Sequence, residues 1–458
     1  MEKSLSVWGW LNTCKCSRWM VFRATREDTR TRPILQTGSA RRCIRDEPQD
    51  VEFGPLPAPR PMPPSFPSTL PLAGLCLLCA LSLPLAAAPR VPASDAQVLE
   101  RVPARAADPR VRDLQALRAA WRADPRNVEL AVSLARRYVD EAAAEGDPRY
   151  IGYAQAALAP WWNETAPPVA VRVQRAVLRQ YGHQFAEALS DLDAAVLADA
   201  GNAEAWSWLA AIHLVRADYP AAARGCDGLA PLTTPLLAAG CRAAVDSLTG
   251  HAGPAAIALA LALKAATDAG PEERLWALTR LAEIAERRGS IAPAERAFRD
   301  ALALGVADVY LQAAYADFLL DNGRPGEVLT LLKDGSRADV LLLRLAIAAK
   351  AAKDPRASGW ASELAARFAA ARARGDRTHE KEEARFVLEL QGDAARALQL
   401  ARSNYAVQRE AADARILLEA ALAAGQPEAA APVREWLAAN RVESVILQSL
   451  AARLGAAK

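Results

Sequence analysis

His183, His213, His251 and His379 are the four imidazoles of the chain, and any zinc site or histidine general base would have to be built from them. They stand in four separate segments, none with a second ligand at helical spacing, so each is read as a surface or packing residue. His379-Glu380 opens HEKEEAR, which lacks the second histidine of a metalloprotease helix and is read as a solvated helix face. No glycine-rich phosphate loop and no Gly-x-Ser-x-Gly elbow occurs. Cys76-Leu-Leu-Cys79 has the spacing of a redox pair, but it lies inside an apolar run where a thiolate would have no support. The sequence therefore predicts no catalytic residue, no metal and no cofactor.

Charge excludes a further class. The 458 residues carry a formal +3, yet residues 1–61 alone hold 11 Lys or Arg against 7 Asp or Glu, and the remainder holds 45 against 46. Nothing in the folded part offers the net basic character that a phosphate backbone attracts, so no nucleic acid is expected as partner. Past residue 95 the composition is uniform, dominated by Ala, Leu and Arg, all strong helix formers. One helical array fits this better than several domains.

The first 93 residues differ in kind. Leu72 to Leu83 is an uncharged run of about a dozen residues between Pro71 and Pro84, followed by Ala86-Ala87-Ala88. That is the length of a signal-peptide core, whereas roughly 20 residues are needed to span a bilayer. Residues 62–93 are read as an export signal, cut near Ala88 or Ala93, which leaves no membrane span in the mature chain. Residues 1–61 form an irregular leader without helical or strand period, consistent with a start site placed too far upstream. Removal of both leaves two cysteines, Cys226 and Cys241, on neighbouring helices. They are expected either to form a disulfide in an oxidising compartment or to stay buried as free thiols.

The strongest signal is internal repetition. Ala203 to Ala222 places Trp206, Leu209-Ala210, His213, Ala217-Asp218-Tyr219 and Ala222 where the tetratricopeptide pattern has a Trp, a Leu-small pair, an aromatic, a turn and a small residue. Leu281-Ala282, Gly289, Ala294, Phe298 and Ala301 follow at the same offsets. Further copies turn at Asp321-Asn322-Gly323-Arg324-Pro325, at Gly392-Asp393 and at Gly425-Gln426-Pro427, and weaker ones at Gly146-Asp147-Pro148, Gly182-His183, Gly250 and Asp354-Pro355. Nine turns recur about 35 residues apart, close to the roughly 34-residue unit of this class. Over residues 127–440 the chain thus resembles the tetratricopeptide (TPR) family, in the form of an exported bacterial protein. In such a chain the glycosylation-like Asn163-Glu164-Thr165 carries little weight.

The resemblance implies an all-α, right-handed α-solenoid of about nine helix-turn-helix repeats. Residues 94–126 would cap it at the N-terminus and 441–458 at the C-terminus, since no helix pair buries its apolar face alone. It also implies a concave groove lined by the first helix of each repeat. The family register carries Trp276, Thr279, Glu283 and Glu286 into it, then Tyr310, Ala313 and Asp317, then His379, Glu382, Phe386 and Glu389, and finally Arg415 and Glu419. The groove is expected to be acidic with interspersed aromatics, fit for a protein or peptide partner with a basic or extended segment. The Lys and Asn clamp by which one branch of the family holds acidic tails is absent. The function expected is a non-catalytic interaction scaffold of the cell envelope or periplasm. Two alternatives remain, a carbohydrate-contacting scaffold in polysaccharide export using Trp161-Trp162, and a cytoplasmic adaptor if residues 62–93 are not an export signal.

Overall fold

Helix ends in this chain are set by one recurring backbone device, visible in a computed structural model that describes residues 109–456 apart from 146 and 148. Within helix pairs, a residue in left-handed conformation stands in eight turns: His183 (φ 57°), Ala217 (60°), Gly250 (80°), Gly289 (73°), Gly323 (69°), Lys353 (56°), Gly392 (77°) and Gly425 (63°); Gly305, Gly375 and Arg441 take it up outside the pairs. In seven of them the next residue's N–H donates to the carbonyl five positions back, as Gln184 does to Arg179 at 2.8 Å and Gln426 to Ala421 at 2.9 Å. That bond satisfies an otherwise orphaned helix carbonyl and reverses the chain. The exception is Asp393, which reaches back six residues to Val387 (3.2 Å), because a π-helical turn over Val387–Gln391 adds one residue to the helix end. Glycine fills five of the eight positions because it meets no Cβ penalty at positive φ.

Several helices of the array begin on side-chain caps. Asn202, Asp218, Thr234, Asp308 and Asp393 each accept the N–H three residues on. Among the described residues there are twenty α-helices and no strand. Helix α1 (Pro109–Ala123) precedes nine pairs: α2 (Val128–Glu145) with α3 (Arg149–Ala157), α4 (Val169–Tyr181) with α5 (Phe185–Ala198), and α6 (Ala203–Val215) with α7 (Tyr219–Leu229). Next come α8 (Pro235–Asp246) with α9 (Ala252–Ala265), α10 (Pro271–Arg287) with α11 (Ile291–Ala303), and α12 (Val309–Asp321) with α13 (Pro325–Leu331). The last three are α14 (Asp339–Ala352) with α15 (Ala357–Ala373), α16 (Glu380–Phe386) with α17 (Ala394–Val407), and α18 (Ala411–Ala423) with α19 (Ala431–Asn440). Helix α20 (Val445–Ala456) packs on α18 and covers its apolar face. None of these helices is long and apolar enough to cross a membrane. The leader and the apolar run Leu72 to Leu83 lie outside the described residues.

Partners within a pair pack on each other, and first helices pack on first helices along the array, α8 on α10, α10 on α12, α12 on α14, α14 on α16 and α16 on α18. The molecule is an α-solenoid. Its core is a chain of small and large residues, Ala282, Ala294, Phe298, Ala316 and Phe318 all fully buried around one interface. The first complete turn is pinned by Arg175, whose guanidinium grips Asp191 (2.6 and 2.8 Å) and the carbonyls of Trp162 and Glu164 (2.7 and 2.8 Å). Cys226 in α7 and Cys241 in α8 form a disulfide across the step between two repeats, with Cα atoms 5.6 Å apart.

The solenoid winds far enough to meet itself. Arg409 N–H donates to the Val215 carbonyl (2.8 Å), Trp436 Nε1 to the Tyr219 hydroxyl (2.9 Å), and Ala252 N–H to Glu443 (3.0 Å). Gln408 touches the His183 ring nitrogen at 3.2 Å. One hydrophobic cluster accordingly runs from Leu114 through Val245 and resumes at Leu342 to end at Leu454. The ninth repeat closes on the third.

Candidate functional site

Closure turns the inner face of the solenoid into a cavity of about 260 Å³ on its axis. Seven first helices, α6 through α18 by even numbers, contribute to its wall, as do Ile446 and Leu447 of α20 and Ser444 just before it. A 3.6-residue period puts one turn of each helix on this face, which is why the lining residues of α10 are Arg280, Glu283, Ile284, Glu286 and Arg287. Of the thirteen groove residues expected from the register, seven line this cavity: Glu283, Glu286, Tyr310, Ala313, Asp317, Arg415 and Glu419.

The other six lie elsewhere, Thr279 fully buried with its hydroxyl donating to the Leu275 carbonyl (2.7 Å). Trp276 is 2% exposed, its ring seated on Gly240 of α8, where even a methyl group would come within 1.8 Å of it. Phe386 is 3% exposed and packs on Phe368, ring centres 5.4 Å apart. Two of the three aromatics expected in the groove, Trp276 and Phe386, are core residues, because the helices rotate these side chains into the space between repeats, while Tyr310 faces the cavity. Glu382 is buried at 3.7 Å from Arg344. Glu389 accepts from Arg385 (2.6 Å) while its carbonyl takes the Lys350 ammonium (2.5 Å), so it stands outside the cavity wall. His379 sits beside Asp376 (3.8 Å).

The cavity is not acidic, in contrast to the expected groove, because arginines that the register did not select enter from the same helices. Arg344 and Arg385 both bind Asp317 at 2.6 Å, reaching it from α14 and α16. Arg415 bridges Asp321 (2.5 Å) and Glu419 (2.7 Å), and Lys381 binds the fully buried Asp413 at 3.0 Å. Arg280 pairs with Glu283 (2.9 Å) and lies over the Tyr310 ring (5.3 Å), whose hydroxyl donates to the same carboxylate. Protein surrounds these groups, yet Asp317 and Arg385 keep 25% and 16% of their side-chain surface open to the cavity. Burial raises the Asp317 pKa, but the two guanidiniums outweigh it and hold the carboxyl well below the usual range. Burial pushes the Tyr310 hydroxyl far upward, so it stays a donor.

Two wall residues are left out of this pairing. Glu286 makes no hydrogen bond and no ion pair; burial first, then the charges of Asp321, Asp317 and Glu283, push its pKa from 4.5 to about 8 against the pull of Arg415. Arg287 has one bond, from Nη2 to the Ser247 hydroxyl (2.7 Å), and its Nε meets no acceptor. Burial lowers its pKa, which the neighbouring acids only partly offset. Sequence register reached Glu286 but passed over Arg287, which lies one residue further on and reaches Ser247 at the end of the neighbouring first helix, α8.

Trp161, offered above as a sugar-stacking residue, is 7% exposed, and Trp162 lies under Arg179 (5.8 Å), so the pair plugs the first repeat. His183, His213 and His251 share no site. Among the described residues no three His, Cys, Asp or Glu side chains are grouped to hold a metal.

No protein-family model matches the chain, and no curated protein matches it. Among solved structures the chain is similar to a crystal structure of the P58(IPK) TPR domain, 16% identical, covering 70% of this chain and 95% of that one with a TM-score of 0.19. That score carries no argument. The assignment to the α-solenoids of helix-pair repeats rests on the nine pairs themselves and the bond their turns share.

Proposed function

We propose that the chain is a non-catalytic protein-interaction scaffold working in the cell envelope or periplasm, and that its axial cavity receives a basic side chain from an extended segment of its partner. The observation that carries this reading is Glu286. A carboxyl with no hydrogen bond in the cavity wall, kept protonated by burial and by the charges of Asp321, Asp317 and Glu283, is a group on which a cation can take the proton's place. Folded-chain interactions of this kind are the ordinary use of an α-solenoid, whose stacked helices present an extended inner surface. The Cys226–Cys241 disulfide supports an oxidising compartment. So does the length of the apolar run Leu72 to Leu83.

Two experiments test this. Tagged wild-type protein and Glu286→Lys are used to recover partners from envelope extracts; the wild type should retain a partner that the variant loses, and equal recovery overturns the cavity as the docking site. Residues 62–100 fused to a phosphatase active only outside the cytoplasm should give activity, and an inactive, intact fusion overturns the envelope location.

A further inference from the structure

The paired charges of the cavity wall cancel one another, and what remains is one carboxyl and one guanidinium on consecutive residues of the same helix. Glu286 has no partner. Arg287 has a single neutral acceptor in Ser247 and an Nε with none, although a buried guanidinium ordinarily spends its five donors on carboxylates or carbonyls. Consecutive helix positions diverge by about 100°, so the two groups cannot satisfy each other and point to separate spots on the same wall. The same lining also carries aliphatic side chains, Leu214, Leu248, Ile284, Val340 and Ile446. A concave, mostly apolar space with a few unsatisfied polar groups is what a small-molecule site looks like. At about 260 Å³ the space is of the size of one small molecule rather than of a helix or a strand.

We propose that the cavity binds a small zwitterion with an apolar body, of the free amino acid class, its ammonium on Glu286 and its carboxylate on Arg287. This rests on the reading of the axial cavity as the binding site: the compact molecule fills the cavity when no partner side chain does, and competes with that side chain for Glu286. The ammonium displaces the proton that Glu286 otherwise keeps. Its surroundings are fixed by Asp317 and Asp321 from α12, Glu283 from α10 and Arg415 from α18.

The test is calorimetric titration of the purified, oxidised protein with a panel of free amino acids. For the tightest binder, the amine lacking its carboxylate and the acid lacking its ammonium are then titrated. The account expects one or more amino acids with apolar side chains to bind, and both analogues to bind at least tenfold more weakly. It also expects the heat at pH 7 to depend on the buffer's ionisation enthalpy, because Glu286 releases its proton. Glu286→Gln keeps the shape of the neutral acid, so it should fold as the wild type does while losing both the affinity and the buffer dependence. Arg287→Gln should weaken the acid analogue and the parent alike. The inference is overturned if no amino acid binds, or if either analogue binds as well as its parent. Binding of an end-capped tetralysine peptide with no amino acid binding also overturns it, while leaving the scaffold reading in place.

Discussion

Glu286 gives the residue scale its sharpest prediction. Its carboxyl titrates near 4.5 when exposed and near 8 in the folded chain, so the folded state holds a proton that the unfolded state has released. The contribution is fully present below about pH 4.5 and is lost as pH rises through 8; the gap corresponds to roughly 5 kcal/mol at most. Wild-type stability should therefore fall between pH 5 and 8.5 in thermal melts more steeply than that of Glu286→Gln, and parallel curves would contradict it. Asp191 carries a packing prediction instead. It is 3% exposed and holds Arg175 and Arg179 at 2.6 Å. Asp191→Ala strands a buried guanidinium and should cost about 3–5 kcal/mol in denaturant unfolding. Neither residue announced its role in the sequence, because pairing across repeats depends on which side chains the packing brings opposite one another.

The elements were more legible than the side chains. Glycine at 250, 289, 323, 392 and 425 marks a left-handed turn residue directly, and every one of those turns was visible in the sequence. Where glycine is missing the marker shifts. The left-handed residue after α4 is His183 and not Gly182, and before Asp354 it is Lys353. Lys353 is exposed and its side chain packs on nothing in the core, so Lys353→Gly should relieve backbone strain and raise the melting midpoint by roughly 1–2 °C. Lysine and glycine melting together would show that the strain is absent. The disulfide belongs to this scale too. It closes a 15-residue loop between α7 and α8, both sulfurs buried, and Cys226→Ala with Cys241→Ala should cost about 3 kcal/mol. The helical period also marked which turns of α10, α12 and α18 face inward, but it misplaced Trp276 and Phe386. A register drawn from pattern alone treats each helix as if it had solvent on its concave side, whereas Gly240, lacking a Cβ, leaves the space that the Trp276 ring occupies.

At the scale of the molecule, the closure of the ninth repeat on the third is the feature that no repeat pattern contains. Repeats contact their neighbours by default. Here Arg409, Trp436 and Glu443 reach across to Val215, Tyr219 and Ala252, and the groove expected along an open array becomes a walled cavity. The cavity is the reason to place binding inside the ring and not on the outer helices, although α9 leaves Ile257 and Leu261 64% and 63% exposed on the convex face. One measurement separates these most directly. A photo-crosslinking amino acid is placed at Ala314, in the cavity wall, and separately at Leu261, on the outer face, in cells making the full chain. The account predicts a crosslinked partner from position 314, through a stretch containing Lys or Arg, and none from 261; a partner captured from 261 alone would contradict it.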